Sequence, residues 1–179
     1  ARILSNTGDV TIIADADQTL GGNGGALTMV DGAVINAGIG NVALRADGNI
    51  TIGQVVTSST VSLFSTSAGI VDGGDTGGRD IIAANLAIRA ATGVGASNTL
   101  ETAIEQLAVQ NHLAGGIRID NNTGGLLTIG TVDGLTGITN TGTNAAVINL
   151  VNNGAVTVNG NVRNATGGDV FLQATNNGG

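Results

Sequence analysis

Short alternations of apolar and polar residues recur along the chain, each closed by glycine, asparagine or aspartate. One phrase reads GLLTIGTVDG (125–134), GNITIGQVV (48–56), GAVTVNGNV (154–162) and, more loosely, GALTMVDGAV (25–34). A second reads GDVTIIADAD (8–17), GNVALRADG (40–48), STVSLFSTSAG (59–69), ANLAIRAATG (84–93), GGIRIDNNTG (115–124), AAVINLVNNG (145–154) and GDVFLQATNNG (168–178). A period of two over four to six residues predicts strands with one buried face. It places Val42, Leu44, Ala46, Ile50 and Ile52 in a shared interior. Ile117, Ile119, Leu127, Ile129 and Val132 follow, then Ile148, Leu150, Val156 and Val158.

The two phrases run into each other: six residues separate Leu44 from Ile50, and Leu150 from Val156. That step is too short for a helical crossover and fits either a hairpin or a corner within a coil. The corner is favoured. Asn, Asp and Gly stand at each bend and tolerate left-handed backbone. The pairs recur at solenoid-like intervals of roughly 20–30 residues. The aromatics that fill wide sandwich and barrel cores are nearly missing. The expected fold is therefore all-β, a parallel β-helix of about seven to nine coils, roughly 35–45 Å long at the usual strand spacing. Asparagines at equivalent corners would stack as amide ladders.

One stretch departs from the alternation. In SNTLETAIEQLAVQNHL (97–113), Leu100, Ala103, Ile104, Leu107 and Ala108 follow the i, i+3, i+4, i+7, i+8 pattern of an amphipathic helix. Asn98 with Glu101 resembles a capping box. The spacing predicts one short α-helix around 99–111, a helical insertion within 97–113. The stretch DGGDTGGRD (72–80) reads as an exposed loop.

Composition narrows the class. The 179 residues include 31 Gly, no Pro and no Cys, with 41% hydrophobic and 1% aromatic residues. A single domain is expected over 1–179, cut from a longer repetitive protein because repeat-like text reaches both ends. Apolar content this high excludes a disordered glycine-rich chain, and collagen needs Gly at every third position. No apolar run approaches the ~18 residues of a membrane span. The absence of Cys excludes disulfides and thiolate metal sites. The net charge of −7, with no basic stripe, argues against nucleic acid as a partner.

Candidate chemistry is sparse, and no catalytic set is expected. His112, the lone histidine, has no partner for catalysis and reads as a polar residue at a helix end. Asp72, Asp75 and Asp80 are calcium candidates, as are Asp15 and Asp17, although the ion takes six to eight oxygens. The segment GGNGGALTM (21–29) has the glycines of the calcium nonapeptide but Ala where Asp belongs. Asp47 and Asp120, close to Arg45 and Arg118, raise a second possibility: an acid–Arg row of a polysaccharide lyase or hydrolase. Thr139, Thr141 and Thr143 raise a third, an ice- or mineral-binding threonine face. Asn49, Asn121 and Asn164 begin glycosylation sequons.

The run ANLAIRAATGVGASNTLETAIEQL, followed by GGIRIDNNTGGLLTIGTVDGLTGI, resembles a segment of the filamentous-haemagglutinin-like giant surface adhesins of Gram-negative bacteria. The similarity covers about residues 84–138. It implies a right-handed parallel β-helix that serves as a non-catalytic shaft, located outside the cell or on its surface. Its expected partners are neighbouring coils or copies of itself end to end, and glycans or proteins of a host or neighbouring cell.

Overall fold

The computed structural model describes residues 1–15, 24–143, 146–165 and 167–175. All described regular structure is β, and apart from one antiparallel hairpin the strands stack in parallel register along one axis as a β-helix. The first sheet stacks eight strands: Arg2–Leu4, Val34–Gly38, Gln54–Thr57, Ile81–Ile82, Leu100–Ala103, Ile117–Asn121, Ile148–Asn152 and Val170–Ala174. At about 4.8 Å per strand this is an axis of about 34 Å. The second sheet runs Val10–Ala14, Val42–Ala46, Thr60–Ser65, Asn85–Ala90 and Gln106–Asn111. It then continues in split levels, Leu127–Ile129 with Ile138–Asn140, and Val156–Val158 with Val162–Asn164. A short arm of Leu27–Thr28, Ile50–Ile52 and Ile70–Asp72 extends the first face. Single bridges carry the arm from Ile70 through Val94 to Ile117.

Register explains the core. Successive coils place Val10, Val42, Val61, Leu86, Leu107, Ile129 and Val158 in one column. Ile12, Leu44, Leu63, Ile88, Val109, Ile138 and Val162 form the next. Leu44, Leu63, Ile88, Val109 and Ile138 are at most 1% exposed. Branched residues of similar size repeat at one position, so each coil rests on the methyl groups of the one below and little space is left. Ile88→Val should cost about 1 kcal/mol, measurable as a lower urea midpoint with unchanged slope.

The corners carry a second pattern. At the end of the second sheet the column reads Ala14, Ala46, Ser65 and Ala90 in the early coils, then Asn111, Asn140 and Asn164. On the first sheet Thr102, Asn121 and Asn152 line up. Asn111 Nδ2 donates to Asn140 Oδ1 at 3.0 Å, and Asn121 Nδ2 to Asn152 Oδ1 at 2.8 Å. These four amides are fully buried. They turn the chain by satisfying backbone groups that a corner strips from the sheet ladder. The expected amide ladders are present.

Close stacking also constrains glycine. Gly38 has φ 60°, and a Cβ there would lie 2.1 Å from the Asn6 carbonyl oxygen. It sits where the register between Val34–Gly38 and Gln54–Thr57 shifts by a residue.

The predicted helix is not formed. Its residues make two strands, Leu100–Ala103 and Gln106–Asn111, joined by a corner at Ile104–Glu105. Leu100, Thr102 and Ile104 are buried before the corner, and Leu107, Val109 and Asn111 after it. The corner shifts the alternation by one residue, which creates the apparent spacing of three and four. Val132 also departs from expectation. It lies outside the coil in the hairpin Thr131–Val132/Leu135–Thr136, which packs with Leu135 over Ala87 and Ala108 on the outer face of the second sheet. Val158 faces the interior of the last level and is 51% exposed.

Candidate functional site

Two features rise above the regular surface, and both are built from inserts in the coil. The first arises where the arm and the main strand of the first sheet are separated by loops: 29–33, 73–80 and 95–99 in different coils. These loops lean on one another. Asp31 accepts the Thr76 amide at 3.0 Å and its hydroxyl at 2.6 Å. Asn98 donates its amide to Asp72 and, at 3.2 Å, to Asp75. Asp72 Oδ1 also accepts Gly74 N–H at 2.7 Å, which closes the turn that starts the loop.

Beneath these loops, carboxylate oxygens of Asp72, Asp80 and Glu101 lie within 4.8 Å of one another. Asp72 and Asp80 are buried, at 7% and 2% exposure. The segment 72–80 is therefore not an exposed loop throughout: its middle, 75–79, is exposed and its two ends are buried. Asp80 binds the next coil both ways, its N–H donating to the Glu101 carbonyl and its Oδ2 accepting Glu101 N–H, each at 2.8 Å. Burial and the neighbouring Asp72 and Glu101 charges push the Asp80 carboxyl up to about 8, against the backbone N–H that favours its charged form. Burial, then Asp72 and Asp75, raise Glu101 as well.

This arrangement holds a proton at neutral pH. Burial, with the neighbouring acids, places that proton on Asp80. Among the described residues, those that could hold a cation are Asp72, Asp80 and Glu101. Of the calcium candidates in this loop, Asp75 is not in this set. Four carboxylate oxygens of these acids and Asp75 already accept N–H donors, which organises the cluster without an ion. Glu101 is the member that its sequence position conceals. It lies in the stretch with helical spacing, and only the stacking of one coil on the next brings it to Asp80.

The second feature is the hairpin on the second sheet. It leaves the sixth level and runs back toward earlier coils. Its tip, Asp133–Gly134, has positive φ at both residues, 48° and 73°, the signature of a tight two-residue turn. Asp133 accepts the Ser62 hydroxyl at 2.9 Å. Arg89 reaches its main-chain oxygen at 2.9 Å and its carboxylate at 3.7 Å. Because the pair is largely solvated, Asp133→Asn, which tolerates the left-handed backbone and keeps an oxygen for Ser62, should cost less than about 1 kcal/mol, and that cost should shrink in high salt. Thermal melts at two salt concentrations read this directly.

The other sequence candidates do not converge. Arg45 and Asp47 close a strand of the second sheet while Arg118 and Asp120 lie in the first, so no shared acid–Arg row forms. His112 follows the strand Gln106–Asn111 at a corner rather than at a helix end, with Nδ1 3.0 Å from the Ala90 carbonyl oxygen. Thr139 has Gln110 and Arg163 as register neighbours, and the Thr141 and Thr143 hydroxyls turn to backbone carbonyls. Asn121 is buried in its ladder and Asn49 accepts Gly69 N–H. Asp17 and part of GGNGG (21–25) lie outside the described residues. Comparison with family models, curated proteins and solved structures finds no match for this chain.

Proposed function

We propose that the chain is a shaft segment of a large bacterial surface or secreted fibre, mechanical rather than catalytic, working outside the cell. The observation that carries this reading is the unbroken register of the two interior columns of the second sheet from coil to coil, backed by buried amide ladders. Such a stack gains its stability from neighbour-on-neighbour contacts and so extends without limit in one dimension. The columns also stay open at the two ends. Ile3, in register with buried Ile35, is 46% exposed at one end, and Val170 and Leu172, in register with Ile148 and Leu150, are 46% and 38% exposed at the other. An apolar mouth of about 410 Å³ lies among Ile3, Ile12, Leu27, Met29 and Ile35. A further parallel coil, from the same fibre or from another copy end to end, is the surface that fits both. The resemblance noted over residues 84–138 supports the adhesive or matrix-forming role and the extracellular setting.

Electron microscopy of the protein that carries this segment, displayed on its own cells, tests the reading. Thin rods that lengthen in proportion to the number of such segments are expected. Compact particles of fixed size would count against it.

A further inference from the structure

Below the hairpin tip the second sheet carries a groove of about 330 Å³, at the lower end of ligand-site sizes. Asn41, Ala43, Arg45, Thr60, Ser62 and Asp133 line it. Ala43 and Ser62 are register neighbours in adjacent coils and give it a floor of small side chains. The hairpin tip meets it at Ser62.

The lining is preorganised and unevenly satisfied. Ser62 and Arg89 hold Asp133 through its Oδ2 and main-chain oxygen. Its Oδ1 has no hydrogen bond among the described residues. Thr60 Oγ accepts the Asn85 amide at 3.3 Å, which leaves the hydroxyl proton to donate. Arg45 makes no ion pair or hydrogen bond among the described residues, whereas Arg89, two coils on, is paired with Asp133. A free guanidinium, a free carboxylate oxygen and a hydroxyl donor therefore border one shallow polar groove.

We propose that this groove binds an acidic saccharide through a hexuronate residue. The sugar carboxylate meets the Arg45 guanidinium, whose planar fork matches it. Ring hydroxyls donate to Asp133 Oδ1 and accept from Thr60. The unpaired Arg45 selects a charged sugar over a neutral one, and Asp133 selects a ligand that carries hydroxyl donors. The net charge of −7 opposes an anionic ligand at long range, so binding is weak, in the millimolar range, and is not a condition for the shaft to extend.

The test is an amide NMR titration of this chain with trigalacturonate. Shifts should cluster at residues 41–45, 60–64 and 132–134. Arg45→Ala, a surface change, should keep the spectrum elsewhere and weaken binding about tenfold, and maltotriose, which lacks the carboxylate, should bind about tenfold more weakly than trigalacturonate. The proposal is overturned by an absence of shifts, by shifts centred elsewhere, or by equal affinity in Arg45→Ala. Equal binding of maltotriose overturns it too. So does binding of glycylglycine as tight as that of the acid sugar, which would make the groove a site for a zwitterion.

Discussion

Asn121→Ala is expected to lower stability by on the order of 3–5 kcal/mol, a loss characteristic of a broken buried network. The side chain is fully buried and makes four hydrogen bonds. Its Oδ1 accepts the Thr102 hydroxyl at 2.9 Å and Ile104 N–H at 2.8 Å. Its Nδ2 donates to the Ile104 carbonyl at 3.0 Å and to Asn152 Oδ1 at 2.8 Å. Alanine leaves Ile104 N–H, the Ile104 carbonyl and Asn152 Oδ1 without this partner, and leaves the Thr102 hydroxyl only the Asp120 carbonyl at 3.5 Å. A stacked array need not unfold as one unit. The loss should therefore appear as faster amide exchange in the levels around Thr102, Asn121 and Asn152 before the early coils respond. A drop of less than about 1 kcal/mol, or exchange that rises evenly along the chain, would refute the role given to the ladder.

Asp80→Asn is expected to have the opposite sign at neutral pH. The folded Asp80 carboxyl titrates near 8 and the ordinary value is 3.8, so the folded chain holds more protons than the unfolded one between these values. Its contribution is fully present below about pH 4 and is lost as the pH rises toward 8. At pH 7 the penalty has an upper bound of about 4 kcal/mol, and relaxation around the inserts reduces it. The amide in Asp80→Asn keeps an oxygen for Glu101 N–H and removes the charge. The variant should melt higher than the parent at pH 7 to 8, and the two curves should converge near pH 4. A parent melting temperature that rises between pH 5 and 8 at the same rate in both proteins would contradict this.

Much of the architecture is legible in the alternation because each coil interior is one residue column deep. A buried position such as Leu44 or Ile88 must be apolar and branched, and its neighbour must not be. The corner residues are legible for a related reason: Asn121, Asn140 and Asn152 sit where backbone groups leave the ladder and need an amide, whereas Asn111 is hidden inside the stretch with helical spacing. The helix expected over 99–111 shows where periodicity alone fails. A corner inside an alternating run imitates a spacing of three to four, and nothing local marks Ile104–Glu105 as a bend. Val132 fails similarly, since a hairpin strand on the outside alternates as well as a strand in the wall. The acid cluster is half legible. Asp72 and Asp80 stand in one loop, but Glu101 joins them only through stacking. The groove at Arg45 leaves no sequence signal because Asp133 reaches it from a distant coil through the hairpin.

The central claim is that each strand pairs in parallel with its counterpart one coil away. It is tested most directly by interstrand nuclear Overhauser contacts on the uniformly labelled chain. Sequential parallel contacts are predicted between the backbones around Leu44 and Leu63, Leu63 and Ile88, and Ile88 and Val109. Close antiparallel contacts between strands adjacent in sequence, such as Val42–Ala46 with Ile50–Ile52, would contradict the β-helix.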